Sequence, residues 1–145
     1  MITTRRLLLA APAVLLLPQA SRASPEAMTE AVQAFTRGAT VRSGRVAMDI
    51  SPLVENGNTV PLSVIVDSPM TAENYVRAIA VFNQRNPQPH VITVRLSPRA
   101  GRAILATNIR LATSQVLLAV AELSDGSFWS DSTQVVVTLA ACVEG

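Results

Sequence analysis

From Gly44 onward the chain repeats one pattern: short runs rich in Val, Ile, Leu and Thr, set apart by turn-forming residues. The runs are GRVAMDI, NTVPLSVIVDS, NYVRAIAVFN, HVITVRLSP, RAILATNIRLA, SQVLLAVAELS and FWSDSTQVVVTLA. In the second of them Val60, Leu62, Val64 and Val66 fall on one face, with Pro61, Ser63 and Asp67 on the other. A period of two is that of a strand with one buried side. Proline cannot donate to a ladder, so Pro61 points to an edge position or a bulge. Between the runs lie turn sequences at Glu55 to Asn58, Arg85 to Pro89 and Ser124 to Ser127, and Asp125-Gly126 is the strongest hairpin signal. Seven such strands predict a mainly β, immunoglobulin-like antiparallel sandwich. No helical pattern alternates with the strands, which argues against a parallel α/β fold.

Ahead of the strands, SPEAMTEAVQAFTRG predicts one helix. Ser24 is placed to cap it, Pro25 suits its first position, Glu26 favours the positive end of its dipole, and Gly38 can take the left-handed conformation that stops it. Ala27, Met28, Ala31, Val32, Ala34 and Phe35 supply an apolar stripe that needs a surface to lie against. The first 23 residues read differently. Arg5 and Arg6 precede an apolar stretch from Leu7 to Leu17 and then Ser21-Arg22-Ala23, the order of an export signal cleaved before Ser24. That stretch is shorter than the roughly 20 residues of a membrane span. Paired arginines suit the twin-arginine route and the general secretory route alike. The expected organisation is a signal at 1–23, a β-sandwich domain with its helix at 24–139, and a flexible C-terminal arm at 140–145. The expected location is the bacterial periplasm, with no stable membrane anchor after cleavage.

Charge changes the picture once the signal is set aside. The whole chain has 12 arginines, no lysine and 10 carboxylates, and three of the arginines lie in the first 22 residues. What remains is close to neutral, without the basic footprint of a nucleic-acid binder. Catalytic chemistry is thinly provided. The single histidine, His90, stands at the start of a strand and is expected to be hydrogen-bonded locally. One histidine and one distant cysteine do not make a zinc site. Glu55, Asp67, Glu73, Glu122, Asp125 and Asp131 fall at turns or on polar strand faces, where charge keeps strands soluble. Phe128 and Trp129 read as core or interface anchors, and the run from Val116 to Val120 as material for an interface. No cofactor or metal is expected.

Cys142 stands apart because of its position. It is the only cysteine, so in an oxidising compartment it is either a reactive free thiol or a site of intermolecular bonding. It follows the last strand on a short segment, Ala140, Ala141, Cys142, Val143, Glu144 and Gly145, that can carry a thiol away from the body. The thiolate is the reactive form, and Glu144 is a neighbouring anion that disfavours it.

Three stretches, VENGNTVPLSVIVDSPMTAENYV (54–76), FNQRNPQP (82–89) and TNIRLATSQVLLAVAELSDGSFW (107–129), stand ahead of a cysteine after VVVTL. In these the chain resembles the SoxY family, the sulfur-carrier subunit of the Sox thiosulfate-oxidation system. The resemblance implies a periplasmic carrier, not itself a catalyst, that pairs with a SoxZ-like subunit and holds sulfur intermediates on Cys142. It further implies three kinds of partner: a c-type cytochrome that joins thiosulfate to that sulfur, a hydrolase that releases sulfate, and enzymes that oxidise the remaining sulfane sulfur. The family's usual ending is Gly-Gly-Cys-Gly-Gly, where this chain has Ala-Ala-Cys-Val-Glu. Glycines leave an arm freer and narrower. A structural or regulatory SoxZ-binding subunit with a vestigial or disulfide-forming cysteine is therefore the alternative. Asn108, where related chains often carry arginine, is a smaller departure.

Overall fold

A computed structural model of the chain describes residues 22–139. All but the last two residues of the expected export signal lie outside the described residues, as does the whole 140–145 segment with Cys142. The described residues form α1 (Pro25–Thr36), β1 (Val41–Ser43), β2 (Val46–Asp49), β3 (Leu53–Asn56), β4 (Val60–Val66), β5 (Val76–Asn83), β6 (His90–Arg95), β7 (Ala103–Ile109), β8 (Gln115–Leu123) and β9 (Phe128–Leu139). One sheet has the order β1-β9-β8-β5-β6, with β3 also on β9, and the other has the order β2-β4-β7.

All seven apolar runs become strands, and the fold is the mainly β one expected, with its N-terminal helix. β1 and β3 are additional. At three and four residues they are too short for alternation to show. Both pair parallel with β9, whereas every other pairing is antiparallel. The reason is the path of residues 41–56. They leave β9 after Ser43 at Gly44 (φ 118°) and Arg45 (φ 58°), join the small sheet as β2, and return to β9 as β3. The carboxylate of Asp131 holds the crossing in place by accepting from the Met48 amide at 2.9 Å.

Two cores follow from the faces of the large sheet. The inner face packs Ile79, Val81, Leu117, Ala119, Ala121 and Val135 against Val60, Leu62, Val64 and Val66 of β4. On the outer face Ala80, Phe82, Val120 and Phe128 meet Met28, Ala31, Val32 and Phe35 of α1. Those helix residues have the i, i+3, i+4, i+7 spacing of a single stripe, while Ala34 is exposed. Phe35 meets both Phe82 and Phe128 edge to face, at 5.9 Å in each case. Within the run Val116 to Val120, Leu117 and Ala119 belong to the inner core and Leu118 and Val120 pack toward α1, while Val116 is half-buried. Ser24 caps α1 by accepting from the Ala27 amide at 3.0 Å. The left-handed stop begins at Arg37 (φ 54°), one residue before Gly38 (φ 77°).

Pro61 lies in the central strand of the small sheet, yet β2 ends opposite Ser63, so at Pro61 only β7 is paired. The position is locally an edge, and the missing amide costs no ladder bond.

Candidate functional site at the root of the Cys142 segment

β9 is paired with β8 as far as Val135 and with β1 on its other side only up to Ser130, and at its far end both neighbours change. The last β8 partner is Gln115, opposite Val135. Beyond it the Ser114 hydroxyl continues the ladder by accepting from the Val137 amide at 2.8 Å. On the other side β3 takes over, with Leu53 opposite Val136, Val54 opposite Val137 and Asn56 opposite Leu139. The Gly57 amide donates to the Leu139 carbonyl at 2.8 Å, and the Thr138 hydroxyl donates to the Glu55 carbonyl at 3.2 Å. The strand that leads to Cys142 is thus held on both sides up to Val137 and on the β3 side up to Leu139.

The clamp is tied to two further loops. The Gly57 carbonyl accepts from the Leu111 amide at 2.8 Å. Next in sequence, the Ala112 amide donates to Asn86 Oδ1 at 3.0 Å, and Gln115 Nε2 donates to the same oxygen at 2.7 Å. Asn86 Nδ2 donates to the Arg110 carbonyl at 2.7 Å, and Gln115 Oε1 accepts from the Arg85 amide at 2.9 Å. The segments VENGN, FNQRNPQP and RLATSQ are far apart in sequence and converge here. Replacing Asn86 by alanine takes the acceptor from the Ala112 amide and the donor from the Arg110 carbonyl, and leaves Gln115 Nε2 with the Thr113 carbonyl alone, which costs about 2 kcal/mol. Urea unfolding measures that loss, and amide exchange is expected to rise at residues 110–115 and spread to 136–139.

Other singled-out residues have structural employment. His90 Nε2 lies 2.7 Å from Thr93 Oγ1, and its ring meets Phe82 edge to face at 5.8 Å. Phe128 is buried beneath α1. Trp129 faces the other core, donates to Ser127 Oγ at 3.0 Å, and lies under the guanidinium groups of Arg42 and Arg45. Asp125 forms the β8–β9 hairpin as expected. The hydroxyl and amide of Ser127 both donate to it and hold its carboxyl below the ordinary value.

Glu122 overturns its expectation. It is buried, at 6% exposure, and does not keep a strand surface soluble. Arg37 Nη2 donates to its Oε1 at 2.9 Å, and Arg77 Nη1 stands 4.0 Å away. The Arg37 guanidinium also lies over the Phe128 ring, so this left-handed helix-ending residue ties α1 to the sheet. A charge at that position in an apolar run was the only sequence signal of a buried pair.

Asn108 is exposed on β7 opposite Pro61. It lines a groove of about 680 Å3 that also takes in Asn56, Thr59 and Pro61 beside the clamp. Among the described residues no group of three or more His, Cys, Asp or Glu side chains is placed to hold a metal, and no helix is long and apolar enough to cross a membrane. What the arrangement offers is a rigid platform from which the chain continues toward a thiol.

A family model described as "Sulfur oxidation protein SoxY" matches residues 32–142. The chain belongs to the SoxY family. Its match takes in all nine described strands and ends at residue 142, the position of the single cysteine. Among curated proteins none matches. Among solved structures, the sulfur carrier protein SoxY from Chlorobium limicola f thiosulfatophilum superposes with a TM-score of 0.66 at 22% identity, covering 80% of this chain and 100% of that one. The superoxide reductase (neelaredoxin) from Ignicoccus hospitalis gives 0.58 at 17% identity, covering 80% and 94%. The superoxide reductase from Nanoarchaeum equitans gives 0.56 at 9% identity, covering 66% and 100%. At these identities the superpositions speak for a shared fold, which the SoxY family uses without a superoxide reductase's chemistry being implied.

Proposed function

We propose that this chain is a periplasmic, non-catalytic carrier that holds sulfur intermediates covalently on Cys142 during thiosulfate oxidation. The observation that carries the proposal is where the family match stops: at the lone cysteine, three residues past the clamped end of β9. A sulfur attachment point needs a thiolate, which alone among common side chains forms and exchanges sulfur–sulfur bonds. It also needs distance from the body, so that one carrier fits several active sites.

The cycle begins with the Cys142 thiolate and thiosulfate. Joining the sulfane sulfur of thiosulfate to the cysteine sulfur releases two electrons, which a c-type cytochrome accepts. Water then cleaves the terminal sulfone as sulfate with release of two protons, under a hydrolase, and leaves a persulfide. Further partners oxidise that sulfane sulfur with oxygen from water, passing the electrons to a cytochrome-type acceptor, and a second hydrolysis releases it as sulfate and returns the thiolate. The chain acts as one half of a heterodimer with a SoxZ-like β-sandwich subunit, is exported with its signal cleaved before Ser24, and needs no cofactor of its own. Support comes from membership in a sulfur oxidation family and from the signal-like leader.

The test is mass spectrometry of the Cys142 peptide after the mature protein meets thiosulfate and the cytochrome. The peptide is expected to gain one S2O3 unit in place of the thiol hydrogen. An unmodified peptide, under conditions that load another SoxY, would favour a structural subunit instead.

A further inference from the structure

Four large hydrophobic residues are exposed among the described residues, and three of them sit at the root of the Cys142 segment. Leu53 is 58% exposed and Val136 46% exposed, and the two are register partners on the outer face of the β3–β9 pair. Leu139 is 61% exposed and has the opposite parity, at the tip of β9 where the inner core has ended. Together they place apolar surface on both sides of the strand end. The fourth, Ile65, lies on β4 of the other sheet.

We propose that Leu53, Val136 and Leu139 form a docking collar that seats against the mouth of the enzymes acting on Cys142. This rests on the carrier function proposed above, and the reach of the chain selects the occupant. Cys142 lies three residues beyond Leu139, with Ala140 and Ala141 between them, and fully extended chain covers at most about 3.3 to 3.6 Å per residue, or roughly 11 Å here. A reacting group must come to bonding distance of the sulfur. If the sulfur enters a pocket, most of that reach is spent on depth, and the rim of the pocket is brought against the residues around Leu139. The clamp fixes those residues relative to the strand, so their position does not change with the segment beyond. An apolar collar of three side chains suits a carrier that visits several enzymes, because a small interface releases quickly and does not depend on the charge of the partner.

The experiment compares wild type with Leu53→Asp, and with Leu53→Ser as a milder variant in case the first does not fold. Each is assayed as the mature protein in its heterodimer, with the cytochrome and thiosulfate, following the mass gain at Cys142. The expected result is a rise of about tenfold in the carrier concentration giving half-maximal loading, from lost apolar burial at the mouth. The maximal rate is expected to stay unchanged. Reaction of Cys142 with a small aromatic disulfide, which needs no docking, should also be unchanged. An unchanged half-maximal concentration overturns the collar. So does a weakened heterodimer or a lost self-association on size-exclusion chromatography, since the patch then belongs to the partner subunit or a second copy. Failure of wild-type Cys142 to load marks failure of the carrier function itself, and the collar falls with it.

Discussion

Replacing Cys142 by serine is expected to end thiosulfate turnover in the reconstituted system, while the protein folds and pairs as before. Serine is nearly the same size, but an oxygen cannot take the place of sulfur in the cycle. The sulfane sulfur of thiosulfate must bond to a sulfur whose lone pair is available near neutral pH, and cysteine, with an unperturbed pKa of about 8.5, supplies a few per cent of thiolate there. The loss is therefore all or none and not a change of rate. Fold and stability should hold, because the clamp around β9 is made by residues up to Leu139. Sulfate release measured with wild type and variant side by side decides the matter. Turnover by the serine variant at the wild-type rate would mean that the thiol is dispensable and that the chain serves as a structural subunit.

The largest effect on stability is expected from Phe82→Ala. Phe82 is fully buried between sheet and helix, where its ring meets Phe35 and His90 edge to face. Removing a buried phenylalanine costs about 3 to 5 kcal/mol, through lost transfer energy and the cavity left behind. A domain of this size has only about 5 to 15 kcal/mol in hand. The cavity opens under α1, so the helix should loosen before the sheets do. Urea unfolding followed by far-ultraviolet circular dichroism and by Trp129 fluorescence measures both parts. Coincident transitions with a loss below about 1 kcal/mol would show that α1 repacks and contributes little.

Much of the fold was legible along the chain because the relevant physics is local. A strand with one wet face must alternate, and β4 does so from Val60 to Val66. The helix announces itself by Ser24, Pro25 and an apolar stripe of six residues, of which Met28, Ala31, Val32 and Phe35 find the sheet. The clamp was not legible in the same way. Asn86, Gln115 and Gly57 are ordinary loop and strand residues until the loops meet, and their hydrogen bonds join positions about 25 to 80 residues apart. The motifs that marked family resemblance could be recognised, but the reason for their spacing could not.

The sequence by itself determined seven of the nine described strands, which face of β4 is apolar, and that a single thiol follows the last strand, since each depends on neighbours in the chain. Only the tertiary structure decided that β1 and β3 run parallel to β9, that Glu122 is buried against Arg37 85 residues away, and that the apolar run of β8 is covered on both sides. Those outcomes depend on which surfaces meet, a choice made by long-range packing that no local pattern encodes. The same long-range packing brings Leu53 beside Val136 and so gathers exposed apolar side chains where the chain leaves for Cys142.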